Sequence, residues 1–178
     1  MITSKARHPA VFLDRDGVIT IPEFREGRSF APRSLAQLAY FPDVPFALQQ
    51  LKEQGFLLIV VTNQPDVGNG LVQQSVIEAM HQKMKNDLPI DDIQVCYHTR
   101  QDRCDCRKPQ IGLFTRAMAN FPIDINQSYM IGDRSIDIEA GQRMGCKTIF
   151  VDYDYVEPMA VIPDVTVRNL SEAIRFIL

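Results

Sequence analysis

Two carboxylates stand two positions apart at the end of an apolar run. Residues 11–13 are valine, phenylalanine and leucine, and Asp14, Arg15, Asp16 and Gly17 follow them. Nearby carboxylates repel each other unless a cation or a shared proton lies between them. The spacing therefore indicates a Mg²⁺ site, a nucleophile with a proton donor, or both. A strand that ends in an ordinary Asp-Gly turn would carry the same residues.

Alternating strand-like and helix-like segments predict an α/β fold with a mostly parallel sheet. The apolar runs predict strands at 10–13, 57–61, 93–97, 129–131, 148–151 and 165–167. Helical patterns cover 44–51, capped by Asp43, and 73–88, 113–121, 135–144 and 170–178. Asp14, Thr62 and Asp133 each follow a predicted strand, and ligands of open α/β sheets bind beyond these ends. We expect the three side chains to share one edge of the sheet.

The size and composition are those of one globular domain over residues 1–178. The chain is 46% hydrophobic and 23% charged, with a net charge of −3 and no basic stripe, which gives no reason to expect a nucleic-acid partner. No segment is long and apolar enough to suggest a membrane span, and Asp14 interrupts the first apolar run, unlike a signal peptide. We therefore expect a cytoplasmic monomer with reduced thiols.

A second group of residues has the composition of a metal site. Cys96, His98, Cys104 and Cys106 have the spacing C-x-H-x5-C-x-C. Three thiolates and one imidazole form a closed tetrahedral set for structural Zn²⁺. A lone cysteine is more often a small buried hydrophobe, which is the interpretation for Cys146. His8 and His81 have no companion ligands and are predicted to be surface residues.

Four motifs in order resemble those of the haloacid dehalogenase (HAD) superfamily, subfamily III. They are Asp14-Arg15-Asp16-Gly17, Thr62-Asn63-Gln64, Arg107-Lys108-Pro109, and Gly132-Asp133 through Asp137. Together with the cysteine loop at 96–106, they most resemble the histidinol-phosphatase and D-glycero-D-manno-heptose 1,7-bisphosphate phosphatase family. The resemblance implies a three-layer Rossmann-like fold and a phosphatase that uses Mg²⁺ and Zn²⁺.

The same resemblance implies a role for each motif residue. Asp14 would attack phosphorus and form an aspartyl-phosphate, while Asp16 would act as acid and then base. Asp14, Asp133 and the Asp16 backbone carbonyl would hold Mg²⁺. Lys108 would neutralise the transferring phosphoryl group and Thr62 would donate a hydrogen bond to it. The alternative for Thr62 is a residue that only caps a turn.

The remaining candidates concern the surroundings of the reaction. Asp137 would support the metal from the second shell or through water, although it could be a first-turn helix residue favoured by the dipole. Arg107 would contact the part of the substrate that stays after transfer, or it could be a solvated surface charge. Further substrate contacts are expected at Asn63, Pro22, Glu23, Phe24 and Arg25.

A capless site is expected, because the two spans of 45 residues on either side of Thr62 are needed for scaffold elements. Only loops, 21–33 and 65–70 among them, would then cover it. The leading substrate is D-glycero-D-manno-heptose 1,7-bisphosphate. Histidinol phosphate is the alternative, because the gap between His98 and Cys104 resembles that family, and Pro65-Asp66 replaces the Ser-Gly usual in heptose bisphosphatases. A nucleic-acid 3′-phosphatase and a non-catalytic, zinc-stabilised binding module are further alternatives.

Overall fold

The computed structural model describes residues 6–25, 28–154 and 159–178. The strands in these residues are β1 (Ala10–Leu13), β2 (Glu23–Arg25), β3 (Arg28–Phe30), β4 (Leu57–Asn63), β5 (Asp92–Cys96), β6 (Tyr129–Gly132), β7 (Lys147–Val151) and β8 (Val165–Val167). Six of them form one sheet in the order β5-β4-β1-β6-β7-β8, and all its pairings are parallel. The predicted parallel sheet is confirmed. The chain builds outward from β1 in both directions, which opens a crevice at the carboxyl ends of β1 and β6.

Helices cover both faces of this sheet. They are α1 (Val44–Glu53), α2 (Pro65–Gly68), α3 (Gln74–Asp87), α4 (Gly112–Asn120), α5 (Ser135–Met144) and α6 (Leu170–Ile177). One apolar core holds residues of α1, α3 and α6, and the other holds residues of α4 and α5. Strand β1 supplies Val11 and Leu13 to the first core and Ala10 and Phe12 to the second. A strand buried on both faces reads as an unbroken apolar run, so the three-layer prediction is confirmed.

The structure departs from the sequence prediction in three places. Strands β2 and β3 form an antiparallel hairpin where a loop was expected at 21–33, and α2 lies in the expected loop 65–70. Asp43 precedes α1 but makes no capping bond there, because its own backbone is helical, with φ −82° and ψ −17°, whereas capping residues are extended. Its Oδ2 instead accepts from the Ser171 N–H of α6 at 3.0 Å. No helix among the described ranges is long and apolar enough to cross a membrane.

Candidate active site

Three buried carboxylates meet at the carboxyl edge of the sheet. Asp14 follows β1, Asp133 follows β6, and Asp137 lies in the first turn of α5. Their carboxylate oxygens lie within 4.8 Å of one another. The predicted meeting of Asp14 and Asp133 is therefore found, and Asp137 joins the same cluster. Oxygen ligands of this kind suit Mg²⁺, which takes one or two carboxylates together with substrate phosphates and water.

The electrostatics of the cluster also fit a divalent cation. Burial raises the pKa of Asp14 to about 6, although Lys108 acts in the opposite direction and lowers it. One lysine therefore does not fully offset the burial of Asp14 beside two further carboxylates. A cation between the carboxylates would favour their ionised forms.

Gly17 allows the first motif to approach Asp133 closely. Its φ of +92° lies in the left-handed region, and a Cβ placed there would stand 2.1 Å from Asp133 Oδ2. Only glycine therefore fits between the turn after β1 and this carboxylate. The same close approach brings the backbone next to Asp16 towards the cluster, as expected if the Asp16 carbonyl is a metal ligand.

The buried ammonium group of Lys108 contacts three oxygen atoms. Its Nζ donates to Asp14 Oδ1 at 2.9 Å and to the Val61 carbonyl at 2.6 Å, and it lies 2.7 Å from Asp137 Oδ1. Burial alone would lower the lysine pKa, but Asp137 and Asp14 outweigh it and raise the pKa above its ordinary value. Lys108 is therefore a fixed cation next to the Asp14 oxygens.

Asn63 holds the backbone of this lysine. Its Oδ1 accepts from the Lys108 N–H at 3.0 Å, and its Nδ2 donates to the Lys108 carbonyl at 3.2 Å. Both polar atoms of the Asn63 amide therefore bond to the backbone of one residue, Lys108, which lies in another loop. The structure gives Asn63 this structural contact, while its predicted contact with substrate stays a prediction.

Asp16 accepts hydrogen bonds on both of its oxygens. Arg15 donates to Oδ1 through Nε at 3.0 Å and to Oδ2 through Nη2 at 2.9 Å. Thr20 donates to Oδ1 and Gln64 to Oδ2, both at 2.8 Å. Burial alone would raise the pKa of Asp16, but Arg15 outweighs it, with these hydrogen bonds, and holds that pKa below its ordinary value.

Thr62 and Gln64 link the second motif to the first. The Gln64 amide Nε2 that donates to Asp16 also lies 2.9 Å from Thr62 Oγ1. The hydroxyl oxygen of Thr62 accepts there, which leaves its own O–H as a donor. Gln64 was not singled out in the sequence, and its place in the Thr-Asn-Gln motif was the signal that could have identified it.

A cavity of about 190 Å³ opens above these groups. Asp14, Asp16 and Lys108 line its reactive end, and Arg107 and Arg134 add two cations. The hairpin contributes to the lining through the end of β3, by way of Ser29, Phe30 and Ala31. Arg134, which was not predicted from the sequence as a site residue, donates from Nη2 to Ser29 Oγ at 2.6 Å and ties this hairpin to α5.

The four residues predicted as substrate contacts in β2 and before it lie elsewhere. Pro22 is buried, Phe24 is half exposed, and Glu23 pairs with Arg25 at 2.8 Å on the outside of the hairpin. None of the four lines the active-site cavity in the described part of the chain. Sequence spacing placed the right segment near the site, but it could not show which strand of the hairpin faces inward.

The four predicted zinc ligands form one compact cluster. Cys106 Sγ lies 3.0 Å from Cys96 Sγ and 3.3 Å from His98 Nδ1, and the other contacts of Cys104 and Cys96 within the set are 3.6 Å. Zinc–sulfur bonds of about 2.3 Å set tetrahedral ligands about 3.8 Å apart; the 3.6 Å contacts are close to this value, and the contact of Cys96 with Cys106 is shorter. All the sulfur–sulfur distances are too long for a disulfide of about 2.05 Å. The donor set fits Zn²⁺.

This cluster is directly connected to the reactive end of the cavity. The Arg107 N–H points to Cys104 Sγ at 3.4 Å, and its guanidinium donates from Nη1 to the His98 carbonyl at 3.2 Å. Lys108 is the next residue along the chain. The position of the buried lysine therefore depends on the loop that the four ligands hold together.

Comparisons with known proteins agree with this geometry. A family model described as HAD-hydrolase-like matches residues 105–173. The chain is 31% identical over 157 residues to a D-glycero-beta-D-manno-heptose-1,7-bisphosphate 7-phosphatase from Rhodopseudomonas palustris, covering 82% of this chain and 84% of that protein. It is 35% identical to the histidine biosynthesis bifunctional protein HisB of Blochmanniella floridana, over 78% of this chain but 40% of that protein.

A solved structure shows the same fold. It is a D,D-heptose 1,7-bisphosphate phosphatase from B. bronchiseptica complexed with magnesium and phosphate, with a TM-score of 0.78 at 23% identity. The match covers 94% of this chain and 97% of that one. The fold, the four motifs at one edge of the sheet and the relatives that match over most of their length all indicate the same family. The chain belongs to the haloacid dehalogenase superfamily and is a phosphatase of that family.

Proposed function

We propose that this chain is a Mg²⁺-dependent phosphomonoesterase that acts on a small sugar phosphate, D-glycero-D-manno-heptose 1,7-bisphosphate. The observation that carries the reaction is the buried Asp14 carboxylate, with Lys108 on one oxygen and Asp133 and Asp137 beside it. The substrate follows from the relatives named for it, which match most of this chain. Two further cations at the cavity, Arg107 and Arg134, suit a substrate with a second anionic group.

The chain's own residues carry out two displacements at phosphorus. Asp14 Oδ2 attacks the phosphoryl group, the bond to the sugar oxygen breaks, and an aspartyl-phosphate forms. Asp16 gives its proton to the leaving oxygen in this step. In the second step Asp16 takes a proton from water, which attacks the aspartyl-phosphate and releases inorganic phosphate. Lys108 stays protonated throughout and offsets charge on the transferring oxygens.

Asp16 must be protonated to act as the acid in the first step, and substrate binding favours this protonated form. Four donors favour its carboxylate in the structure as it stands. An entering phosphate brings negative charge next to it, and like charges raise the pKa of a carboxyl group. Substrate binding therefore favours the protonated Asp16 that the first displacement requires.

Two metal ions complete the proposal. Asp14 and Asp133, with the Asp16 carbonyl expected from the family resemblance, would hold Mg²⁺, which would supply charge stabilisation for the attacked phosphoryl group; Asp137 lies next to Asp14 and Asp133. Cys96, His98, Cys104 and Cys106 hold Zn²⁺, which keeps the 96–106 loop in place.

The experiment is phosphate release from three substrates by the purified holoprotein, with and without Mg²⁺. We expect Mg²⁺-dependent hydrolysis of the heptose bisphosphate, with little release from histidinol phosphate or from a 3′-phosphorylated oligonucleotide. Asp14→Asn, which keeps the shape but removes the nucleophile, is the matched control and should be inactive. Metal-independent hydrolysis, or full activity of Asp14→Asn, would contradict the mechanism.

Histidinol phosphate is the second candidate because of one specific comparison. The 35% identity with the bifunctional histidine biosynthesis protein is as high as that with the heptose relatives, although the chain spans less than half of that protein. A higher kcat/KM for histidinol phosphate in the same assay would replace the heptose substrate and leave the catalytic residues unchanged.

A further inference from the structure

A buried histidine outside the four motifs lies behind the first motif. His81 belongs to α3, is 7% exposed, and lies 66 positions along the chain from Arg15. Its Nε2 is 3.1 Å from Arg15 Nη1. The prediction of a surface residue is therefore wrong for His81, since α3 packs it against the first motif, whereas His8 is exposed as predicted.

The chemistry of the two side chains fixes the direction of this bond. Arginine carries only donors, so His81 Nε2 must accept, and the ring proton then sits on Nδ1. A neutral imidazole is what its surroundings favour, because burial and the charge of Arg15 lower the pKa of His81 to about 3. The guanidinium of Arg15 has no exposed surface, so its donors need acceptors within the protein. His81 is the buried acceptor for one of them.

Arg15 uses its other nitrogens on Asp16. Nε and Nη2 bind one carboxylate oxygen each, at 3.0 and 2.9 Å, while Nη1 faces His81. Because a guanidinium is planar and rigid, fixing Nη1 also fixes the direction of the two bonds to the carboxylate. The part of the Asp16 orientation that depends on Arg15 is therefore set from α3, while Thr20 and Gln64 hold the same carboxylate from other segments.

We propose that His81 and Arg15 are positioning residues that together orient the Asp16 carboxylate for proton transfer to the leaving oxygen. This inference rests on the role of Asp16 in the proposed function. Neither side chain transfers the proton itself: His81 holds Arg15, and Arg15 holds the carboxylate of Asp16. Losing the acceptor on His81 frees the guanidinium to turn, and the proton donor then meets the leaving oxygen at a poorer angle.

The test compares two esters that differ in how much they need a proton donor. Phenoxide is a poorer leaving group than p-nitrophenoxide, so phenyl phosphate depends more strongly on general acid catalysis than p-nitrophenyl phosphate does. The quantity measured is kcat/KM for each ester, since it reports the first displacement, on the Mg²⁺- and Zn²⁺-loaded protein. A purely structural role of His81 would lower both values equally.

His81→Leu should lower kcat/KM about tenfold for phenyl phosphate and no more than about threefold for p-nitrophenyl phosphate. His81→Gln, whose amide oxygen can accept from Arg15, should restore most of the loss. Met84→Val is the matched control, because it removes buried volume one turn along α3 and keeps the His81 acceptor for Arg15. It should leave the ratio of the two esters unchanged.

Two outcomes would overturn the inference. Equal losses on both esters in His81→Leu, or no rescue by His81→Gln, would show that His81 does not act through Asp16. If the leucine variant does not fold, Arg15→Lys carries the comparison, since an ammonium lacks the rigid planar donors with which the guanidinium binds Asp16 and His81 together, and it should give the same selective loss. A wild-type protein that is inactive on both esters and also releases no phosphate from the heptose bisphosphate would instead contradict the proposed function itself, and this inference with it.

Discussion

Replacing His81 by glutamine should remove a pH dependence from the stability of the protein. The folded state lowers the pKa of His81 from 6.5 to about 3, chiefly by burial and by Arg15, with Lys85 adding to this and Asp16 opposing it. The imidazole of His81 therefore binds a proton in the unfolded chain at a pH where it stays neutral in the folded chain. This contribution is fully present above pH 6.5 and is lost as the pH falls below it.

The magnitude follows from the two pKa values. At pH 5 the unfolded imidazole is almost fully protonated, whereas the folded one is neutral. Linkage then makes the wild type lose about 2 kcal/mol of unfolding free energy between pH 7 and pH 5 through this residue alone. Glutamine does not titrate and still accepts from Arg15, so the variant should lack this loss.

The assay is urea unfolding of both proteins at pH 7, 6 and 5, with Mg²⁺ and Zn²⁺ held constant. Asp14 and the zinc ligands also respond to pH, but they are present in both proteins and cancel in the difference. His8→Gln is the matched control, because it makes the same substitution at an exposed histidine. A difference between wild type and His81→Gln that changes by less than about 0.5 kcal/mol would refute the reasoning.

Three further substitutions test the rest of the site. Asn63→Ala should lower kcat about tenfold or more, because Lys108 loses both backbone hydrogen bonds; steady-state kinetics would show it, and unchanged kcat would contradict it. Gly17→Ala should raise the Mg²⁺ concentration for half-maximal activity about tenfold, because the new Cβ displaces Asp133; metal titration measures this. Cys106→Ser should remove zinc and lower the melting temperature and activity together, so a verified zinc-free protein with full activity would count against it.

The sheet and its helices could be predicted because their signals are local. Strand β1 reads as apolar on both faces, and the helix at Ser135–Met144 ends at Gly145 as expected. The hairpin could not be predicted, since Glu23–Arg25 and Arg28–Phe30 are mostly polar and, at three residues each, too short to establish a strand period. The hairpin is held by tertiary bonds instead, among them Arg134 to Ser29 at 2.6 Å.

The sequence by itself determined the reactive groups and the family resemblance of this protein. The reactive residues follow strand ends or belong to the sequence motifs; they are Asp14, Asp16, Lys108 and Asp133. Parallel strands bring such residues to one edge of the sheet. Only the tertiary structure decided what surrounds them. A charged Arg15 in a turn is expected to be exposed, yet it is buried against a histidine from another helix. Contacts across such sequence distances depend on how layers pack, which no local pattern of residues records.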